Sequence, residues 1–387
     1  MADDVRIGLI GYGGMGSSHC EYLSKGVTRG AKLAAIADTG ADRLAAARAK
    51  FGDAVKYFDT AEGLIASGEV DAVVIATPHY FHPPLGIKAM EAGLHVMSEK
   101  PAGVYTKQVK EMIKVAEGSD KVYGVMFNQR TRPAHQKLRE LVQGGELGQL
   151  KRSMYVITDW LRTQVYYDAA TWKGTWEGEG GAVLMNQSPH NLDLFQWICG
   201  MPKRVRSFCH MARYHNIETE DDVTTYVEYE NGGTGTFITS TGEAPGSQFM
   251  EIHGERGKIA FADNNITFHQ TRTPVNEHIR TSDGAFSKPE TWKIEIPTHG
   301  KATEHQGIMQ NWVDAIRNGT PLLAPGVEGI HGVALANAML MSSWLDKTVE
   351  LPIDDDVFYE MLQEKIRGST FKKPETKAKA MDFAGTF

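Results

Sequence analysis

The residues best placed to do chemistry open the chain. A short apolar run at 5–10 leads into Gly11-Tyr12-Gly13-Gly14-Met15-Gly16, and a helical pattern follows from Ser17. The pyrophosphate of a dinucleotide needs this order of strand, glycine turn and helix. Gly11 permits the tight turn, Gly13 lets the backbone approach the phosphates, and Gly16 lets helix and strand pack closely. The helix N-terminus then faces the phosphate charge. Tyr12, Gly14 and Met15 complete the turn as cofactor contacts. A second apolar run, 32–37, ends in Asp38, about 20 residues past the last glycine, where an acid binds the adenosine ribose hydroxyls and repels a 2′-phosphate. The pattern predicts an NAD site, with Arg43 on the following helix leaving NADP as the lesser option.

Three further groups stand at positions where a reaction can occur. Thr77-Pro78-His79-Tyr80-Phe81-His82 follows a nearly continuous apolar strand at 70–76, and Ser98-Glu99-Lys100-Pro101 closes the next strand. Residues just past the carboxyl ends of parallel strands line the ligand crevice. Thr77, Pro78, His79, His82, Glu99 and Lys100 are therefore candidate cofactor contacts, although the histidines equally suit a packed capping loop and Glu99 a structural role. A lysine ammonium there can hydrogen-bond a substrate hydroxyl as hydride leaves, and desolvation would let the neutral amine act as base. The third group is 179–193. If it is one helix, Asn186, His190 and Asp193 share a face. Histidine is the natural general base near neutrality, while a lone helical histidine is as readily a core residue. Pro189 leaves two geometries open: a first-turn proline with Ser188 as cap, or a kink in a helix begun near residue 182. Asn128, Arg130 and Arg132 could reach cofactor or substrate, or the arginines could pair with acids. The stretch 159–176 holds Arg162, Trp172 and Trp176, which suit a sugar platform or, for the tryptophans, a core or subunit interface.

The elements that must position these groups alternate strand and helix up to about residue 130. That predicts an α/β dinucleotide-binding domain at 1–130 with a doubly wound parallel sheet. The pattern then changes to alternating strand segments at 151–158, 205–211, 222–229, 234–241, 249–253 and 258–261, with helices at 133–142, 186–199, 305–317 and 327–345. This predicts an α+β domain at 131–353 with a mostly antiparallel, open-faced sheet. Residues 354–387 read as a charged tail, poorly ordered or an arm on a partner subunit.

At 387 residues two domains are expected. A net charge of −7 without a Lys/Arg stripe argues against nucleic acid and anionic membranes as partners. The first residues lack a basic leader region, and no apolar run is long enough to span a bilayer. Three cysteines without C-x-x-C spacing argue against a disulfide framework or a metal site and suit a reducing cytoplasm. Cys20 and Cys199 read as buried thiols.

Taken together, the glycine fingerprint, Ala76-Thr77-Pro78 followed by His82, Glu99-Lys100-Pro101, and the run from Gly180-Gly181 through Asn186 to His190 resemble the Gfo/Idh/MocA oxidoreductases, the glucose–fructose oxidoreductase and inositol dehydrogenase group. The resemblance extends to about residue 350. It implies a Rossmann domain, an open-faced sheet domain used in oligomer contacts, and NAD(P)-dependent oxidation or reduction of sugars and cyclitols. It puts the catalytic lysine at Lys100 and the catalytic histidine at His190. Where the family frequently has an Asp four residues before that histidine, this chain has Asn186, which can orient a hydroxyl but holds no negative charge. The expected function is an NAD-dependent dehydrogenase acting on a secondary hydroxyl of a sugar, cyclitol or sugar derivative. Lys100, Arg162, Trp172, Asn186 and His190 are its expected substrate contacts, in a homodimer or homotetramer that covers the open sheet. Two other readings use the same residues: an enzyme that keeps NAD bound while it transiently oxidises a glycoside, and a non-catalytic NAD-binding sensor.

Overall fold

The computed structural model describes residues 4–373. Its first part alternates Val5–Ile10 (β1), Gly14–Ser24 (α1), Ala31–Ala37 (β2), Ala41–Phe51 (α2), Lys56–Phe58 (β3), Ala61–Ile65 (α3), Ala72–Ile75 (β4), His82–Glu91 (α4), His95–Ser98 (β5), Thr106–Glu117 (α5) and Tyr123–Val125 (β6). The six strands are parallel in the order β3-β2-β1-β4-β5-β6. Helices cover both faces, so β4 is buried throughout and its sequence is apolar without alternation. The order reverses between β1 and β4, and a crevice opens at their carboxyl ends. The loops beginning at Gly11 and Thr77 both start there.

The second part comprises Pro133–Gln143 (α6), Leu150–Ile157 (β7), Gln164–Asp168 (α7), Pro189–Cys199 (α8), Arg204–Met211 (β8), Glu220–Glu228 (β9), Thr234–Ser240 (β10), Gln248–Gly254 (β11), Gly257–Ala262 (β12), Asn265–Thr271 (β13), Val275–Thr281 (α9), Thr291–Ile296 (β14), Glu304–Asn318 (α10), Gly329–Leu345 (α11), Val349–Glu350 (β15) and Asp355–Arg367 (α12). Nine strands form one sheet, β14-β13-β12-β11-β7-β10-β9-β8-β15. It is antiparallel except between β7 and β10. Strands β13 and β14 extend it beyond the segments read from sequence. Alternation is visible in β8, where Val205, Ser207 and Cys209 are buried and Phe208 is exposed. The inner face packs on α8 and α11. Helix α11 is apolar nearly all round, as a helix between two layers must be. Among the described residues no helix is long and apolar enough to cross a membrane.

Two segments depart from the sequence reading. Residues 354–367 are not a loose tail: Asp354 caps α12, its carboxylate accepting the N–H groups of Asp356 and Val357 at 3.0 Å. Phe358 and Leu362, one turn apart, are fully buried in the core of the sheet domain. Two apolar anchors in a charged helix are easily read as a solvated arm. The lysines at 377 and 379 lie outside the described residues. Helix α10 follows the sheet domain in sequence but packs on the dinucleotide-binding domain. Its Ile308, Met309, Trp312 and Val313 join the cluster of Leu9, Met97 and Val125, and the Val125 N–H donates to the carbonyl of Ala324 at 3.2 Å.

Arg130 ties the two parts together. It lies in the turn after β6 and is completely buried. Its Nε and Nη2 donate to both carboxylate oxygens of Asp193 in α8, at 2.8 and 2.6 Å, while Nη1 reaches Glu328 and, at 3.1 Å, the Leu323 carbonyl. This forked pairing meets four of the five guanidinium N–H groups where water does not reach. Removing it leaves the Asp193 carboxylate buried and unpaired. R130M is therefore expected to destabilise the protein by about 3–5 kcal/mol in urea unfolding, and R130M/D193L by less than R130M alone.

Candidate functional site

At the end of β1, Gly11 has φ +97°, and a Cβ there would lie 2.6 Å from the Ala76 carbonyl oxygen. A Cβ on Gly16 would lie 1.9 Å from the Gly11 carbonyl oxygen. Both positions are closed to any side chain. Gly13 is different: nothing lies within 4 Å of where its Cβ would be. As N-cap of α1 it offers no side chain to the first N–H groups of the helix. Open space in front of uncapped helix donors is what a pyrophosphate fills, so these residues fit a dinucleotide. Asp38 closes the turn from below. Its Oδ2 accepts the Tyr12 N–H at 2.7 Å, and its Oδ1 accepts the Gly40 N–H at 2.7 Å and Arg43 Nε at 2.8 Å.

The loop after β4 divides into lining and bracing residues. His82 is 1% exposed and spans two carbonyls, Nδ1 at 2.8 Å from Pro101 O and Nε2 at 2.7 Å from Thr77 O. It bridges the Thr77 loop and the Lys100-Pro101 loop, donating to one of these carbonyls as a neutral imidazole and to both only as an imidazolium. His79 is also buried, with its ring edge-on to Trp172 at 5.4 Å and its Nδ1 without a partner. Burial pushes the pKa of both histidines down. Asn128 donates to Glu304 at 2.7 Å, and Arg132 Nε pairs with the same carboxylate at 2.8 Å. Arg130 is taken up by Asp193, and Arg132 Nε by Glu304, so both arginines pair with acids.

Beyond β5, Glu99 is buried with its Oε1 2.6 Å from His19 Nε2. Burial pushes this carboxyl up, but the hydrogen bond and charge of His19 outweigh it and hold it at about 2. Its Oε2 accepts the Lys100 N–H at 3.2 Å. Glu99 thus braces the segment that carries Lys100. The Lys100 ammonium donates to the backbone carbonyl of Asn186 at 2.8 Å. Burial lowers its pKa, and the charges of Glu99 and Glu179 oppose that.

Both geometries that Pro189 allowed are present in series. Val183–Gln187 form a π-helical turn, and α8 then restarts at Pro189, where a missing N–H costs nothing. Ser188 precedes it but bonds Thr239 Oγ1 at 2.7 Å instead of capping. The break means that Asn186, His190 and Asp193 do not share one helical face, as a single helix would require; Asp193 turns to Arg130. His190 is 5% exposed, its Nδ1 is buried without a partner, and its ring lies edge-on to Phe127 at 6.3 Å. Burial, then the charge of Lys100, push its pKa well below the usual 6.5, so it stands as a neutral imidazole.

Asn186 Nδ2 donates to Glu179 Oε1 at 2.5 Å and to Tyr166 Oη at 3.1 Å. Glu179 is wholly buried, and burial raises its pKa to about 7. The sequence reading quoted Glu179 without giving it a role; its signal was an acid set immediately before Gly180-Gly181. Around it stand Lys173, 3.5 Å from the ring centre of Tyr166, and Lys373, which donates to the carbonyls of Ala170, at 2.6 Å, and Lys173. Arg162 lies over the rings of Trp160 and Tyr166. Arg162 and Tyr166 therefore neighbour the Lys100–Asn186 contact, while Trp172 lies against His79. Trp176 packs edge-on to Trp344 in the core.

Residues 5–127 match the oxidoreductase family's NAD-binding Rossmann fold, and residues 139–351 match its C-terminal alpha/beta domain. This chain belongs to the Gfo/Idh/MocA oxidoreductase family. It is an oxidoreductase with an NAD-binding Rossmann domain, and the fold expected from its sequence is the fold observed. The inositol 2-dehydrogenase of Corynebacterium glutamicum (strain R) is 27% identical over 355 residues, 87% of this chain and 93% of that protein. The myo-inositol 2-dehydrogenase of Thermotoga maritima is 30% identical over 265 residues, 67% of this chain and 75% of that protein. Among solved structures, the WlbA dehydrogenase of Bordetella pertussis, in complex with NADH and UDP-GlcNAcA, superposes with a TM-score of 0.75 at 27% identity, covering 91% of this chain and 100% of that one.

The two glycines should separate binding from folding. G13A places a methyl in open space and is expected to weaken NAD binding at least tenfold while changing stability by less than about 0.5 kcal/mol. G16A drives a Cβ into backbone and is expected to cost about 1–3 kcal/mol as well. Calorimetric titration with NAD and urea unfolding check both.

Proposed function

We propose that this protein is an NAD-dependent dehydrogenase that oxidises a secondary hydroxyl of a sugar, cyclitol or sugar derivative. The observation that carries the reading is the hydrogen bond from Lys100 to the Asn186 carbonyl. It joins the lysine at the mouth of the dinucleotide crevice to the segment carrying His190, whose buried Nδ1 has no partner. Gly11, Tyr12, Gly13, Gly14, Met15 and Gly16 would hold the pyrophosphate of NAD and Asp38 its adenosine ribose, with Thr77 and Pro78 along the crevice. When bound, NAD supplies the hydride acceptor. Lys100 Nζ donates to the reacting oxygen and stabilises the negative charge that develops there. His190, kept neutral by burial, accepts the hydroxyl proton. Arg162, Trp172 and Asn186 contact the rest of the substrate. The inositol dehydrogenases among its relatives support a polyol, and the nucleotide-sugar ligand of the WlbA structure supports a ring hydroxyl in a sugar derivative.

The test is absorbance of reduced nicotinamide on mixing protein and NAD with inositols, aldoses, anhydrosugars and glycosides. One substrate class is expected to give NADH; none doing so overturns the reading. With that substrate, K100A and H190A are each expected to lower kcat about 10²–10⁴-fold while NAD affinity stays within about threefold. Unchanged turnover removes the residue from the mechanism.

The reading includes a homodimer or homotetramer. Phe208 on β8 and Tyr226 on β9 are 51% and 42% exposed, on strands whose alternate residues are buried. That leaves a sheet face for a second copy to cover. Sedimentation at micromolar protein should give a dimer or tetramer, and F208E/Y226E should shift it toward monomer.

A further inference from the structure

Asn186 connects Lys100 to a buried carboxylate. Its backbone oxygen accepts the Lys100 ammonium, while both hydrogens of its side-chain amide are taken, one by Glu179 Oε1 and one by Tyr166 Oη. Glu179 is itself fixed: its Oε2 accepts the Gly174 N–H at 2.5 Å, and its own N–H donates to the Thr175 carbonyl at 3.0 Å. A carboxylate only accepts hydrogen bonds. Facing one, the Asn186 amide has a single permitted orientation, with Nδ2 toward Glu179 and Oδ1 on the opposite arm. Asn186 is only half-buried, whereas Glu179 is wholly enclosed.

We propose that Glu179 is a positioning residue for the reaction: it locks the Asn186 amide so that Oδ1 is the acceptor for a substrate hydroxyl adjacent to the one being oxidised, which selects vicinal polyols. The proposal rests on the dehydrogenase reading above. A protonated Glu179 could donate as well as accept, and the amide could then turn over and present Nδ2 instead. The groups facing Glu179 are Lys173 and Lys373, Lys100 beyond β5, Tyr166 and Tyr167 of α7, and Glu220 of β9. Burial raises the Glu179 pKa, while the hydrogen bonds from the Gly174 N–H and Asn186 and the charges of Lys173 and Lys373 favour the carboxylate; the balance falls at about 7. The locked state is therefore held above that pH and lost below it.

The experiment compares the wild type with E179Q and N186A. Glutamine has the same shape, offers a donor and an acceptor, and does not titrate. Wild-type KM for a vicinal polyol is expected to rise about tenfold between pH 8 and pH 6, the effect of one lost hydrogen bond, with kcat changing less. E179Q and N186A are expected to show the raised KM at both pH values, with NAD affinity unchanged. A wild-type KM and pH profile in E179Q overturns the proposal. If E179Q does not fold, a wild-type KM that is flat with pH, or an N186A KM equal to wild type, does the same. Carboxyl NMR of protein labelled with ¹³C-glutamate reads Glu179 without turnover. A resonance absent from E179Q should titrate near pH 7, and a Glu179 protonated throughout pH 6–9 overturns the proposal. If no polyol yields NADH but that resonance titrates, it is the dehydrogenase reading that has failed.

Discussion

Arg130 has no contact with water, so the donors on its guanidinium can be met only by protein. The chain meets four of its five N–H groups with Asp193 of α8 and with Glu328 and the Leu323 carbonyl from the segment before α11. Asp193 lies one turn beyond His190 in α8, and Arg130 lies in the turn after β6. One planar fork thereby sets where α8 stands relative to the parallel sheet. The Lys100–Asn186 hydrogen bond spans the same two parts, as does the bond from Tyr80 Oη to the Trp176 carbonyl. A buried ion pair thus joins the two parts close to the proposed site.

Around the centre the structure separates residues that brace from residues that are left available. Glu99 is spent on His19 and the Lys100 backbone, and His82 on two carbonyls. Both keep the Lys100-Pro101 loop in place. His190 and His79, by contrast, each keep a buried ring nitrogen without a partner. Such a group is free to meet a water, an ion or a bound ligand. Low polarity then does double duty, keeping His190 neutral and strengthening any hydrogen bond that Lys100 makes.

Much of this was legible in the sequence because local chemistry dictated it. The glycine positions at 11 and 16 are forced by contacts with the nearest backbone, so spacing alone revealed them. The parallel sheet was legible because strands buried on both faces are apolar throughout. What was not legible depended on distant partners. Nothing near Arg130 in sequence announces Asp193, 63 positions away. Pro189 left two geometries open for the segment containing Asn186, His190 and Asp193, and the π turn that precedes α8 rests on distant strands, with Glu220 of β9 accepting the Ala182 and Leu184 N–H groups. Glu179 has no role legible in the sequence, because its burial comes from segments far from it along the chain. Helix α12 was missed because two apolar residues among many charges suffice to dock it.

The return of α10 to the first domain also bears on how the chain is made. Trp312 and its neighbours cover apolar surface around Leu9, Met97 and Val125, and the segment at 324–325 adds to the edge of β6. A ribosome that has released the first 130 residues has therefore produced a sheet whose covering helix has not yet been synthesised. That surface stays exposed until the entire nine-stranded sheet has followed it, so the dinucleotide-binding domain, though first in sequence, is completed only near the end of translation.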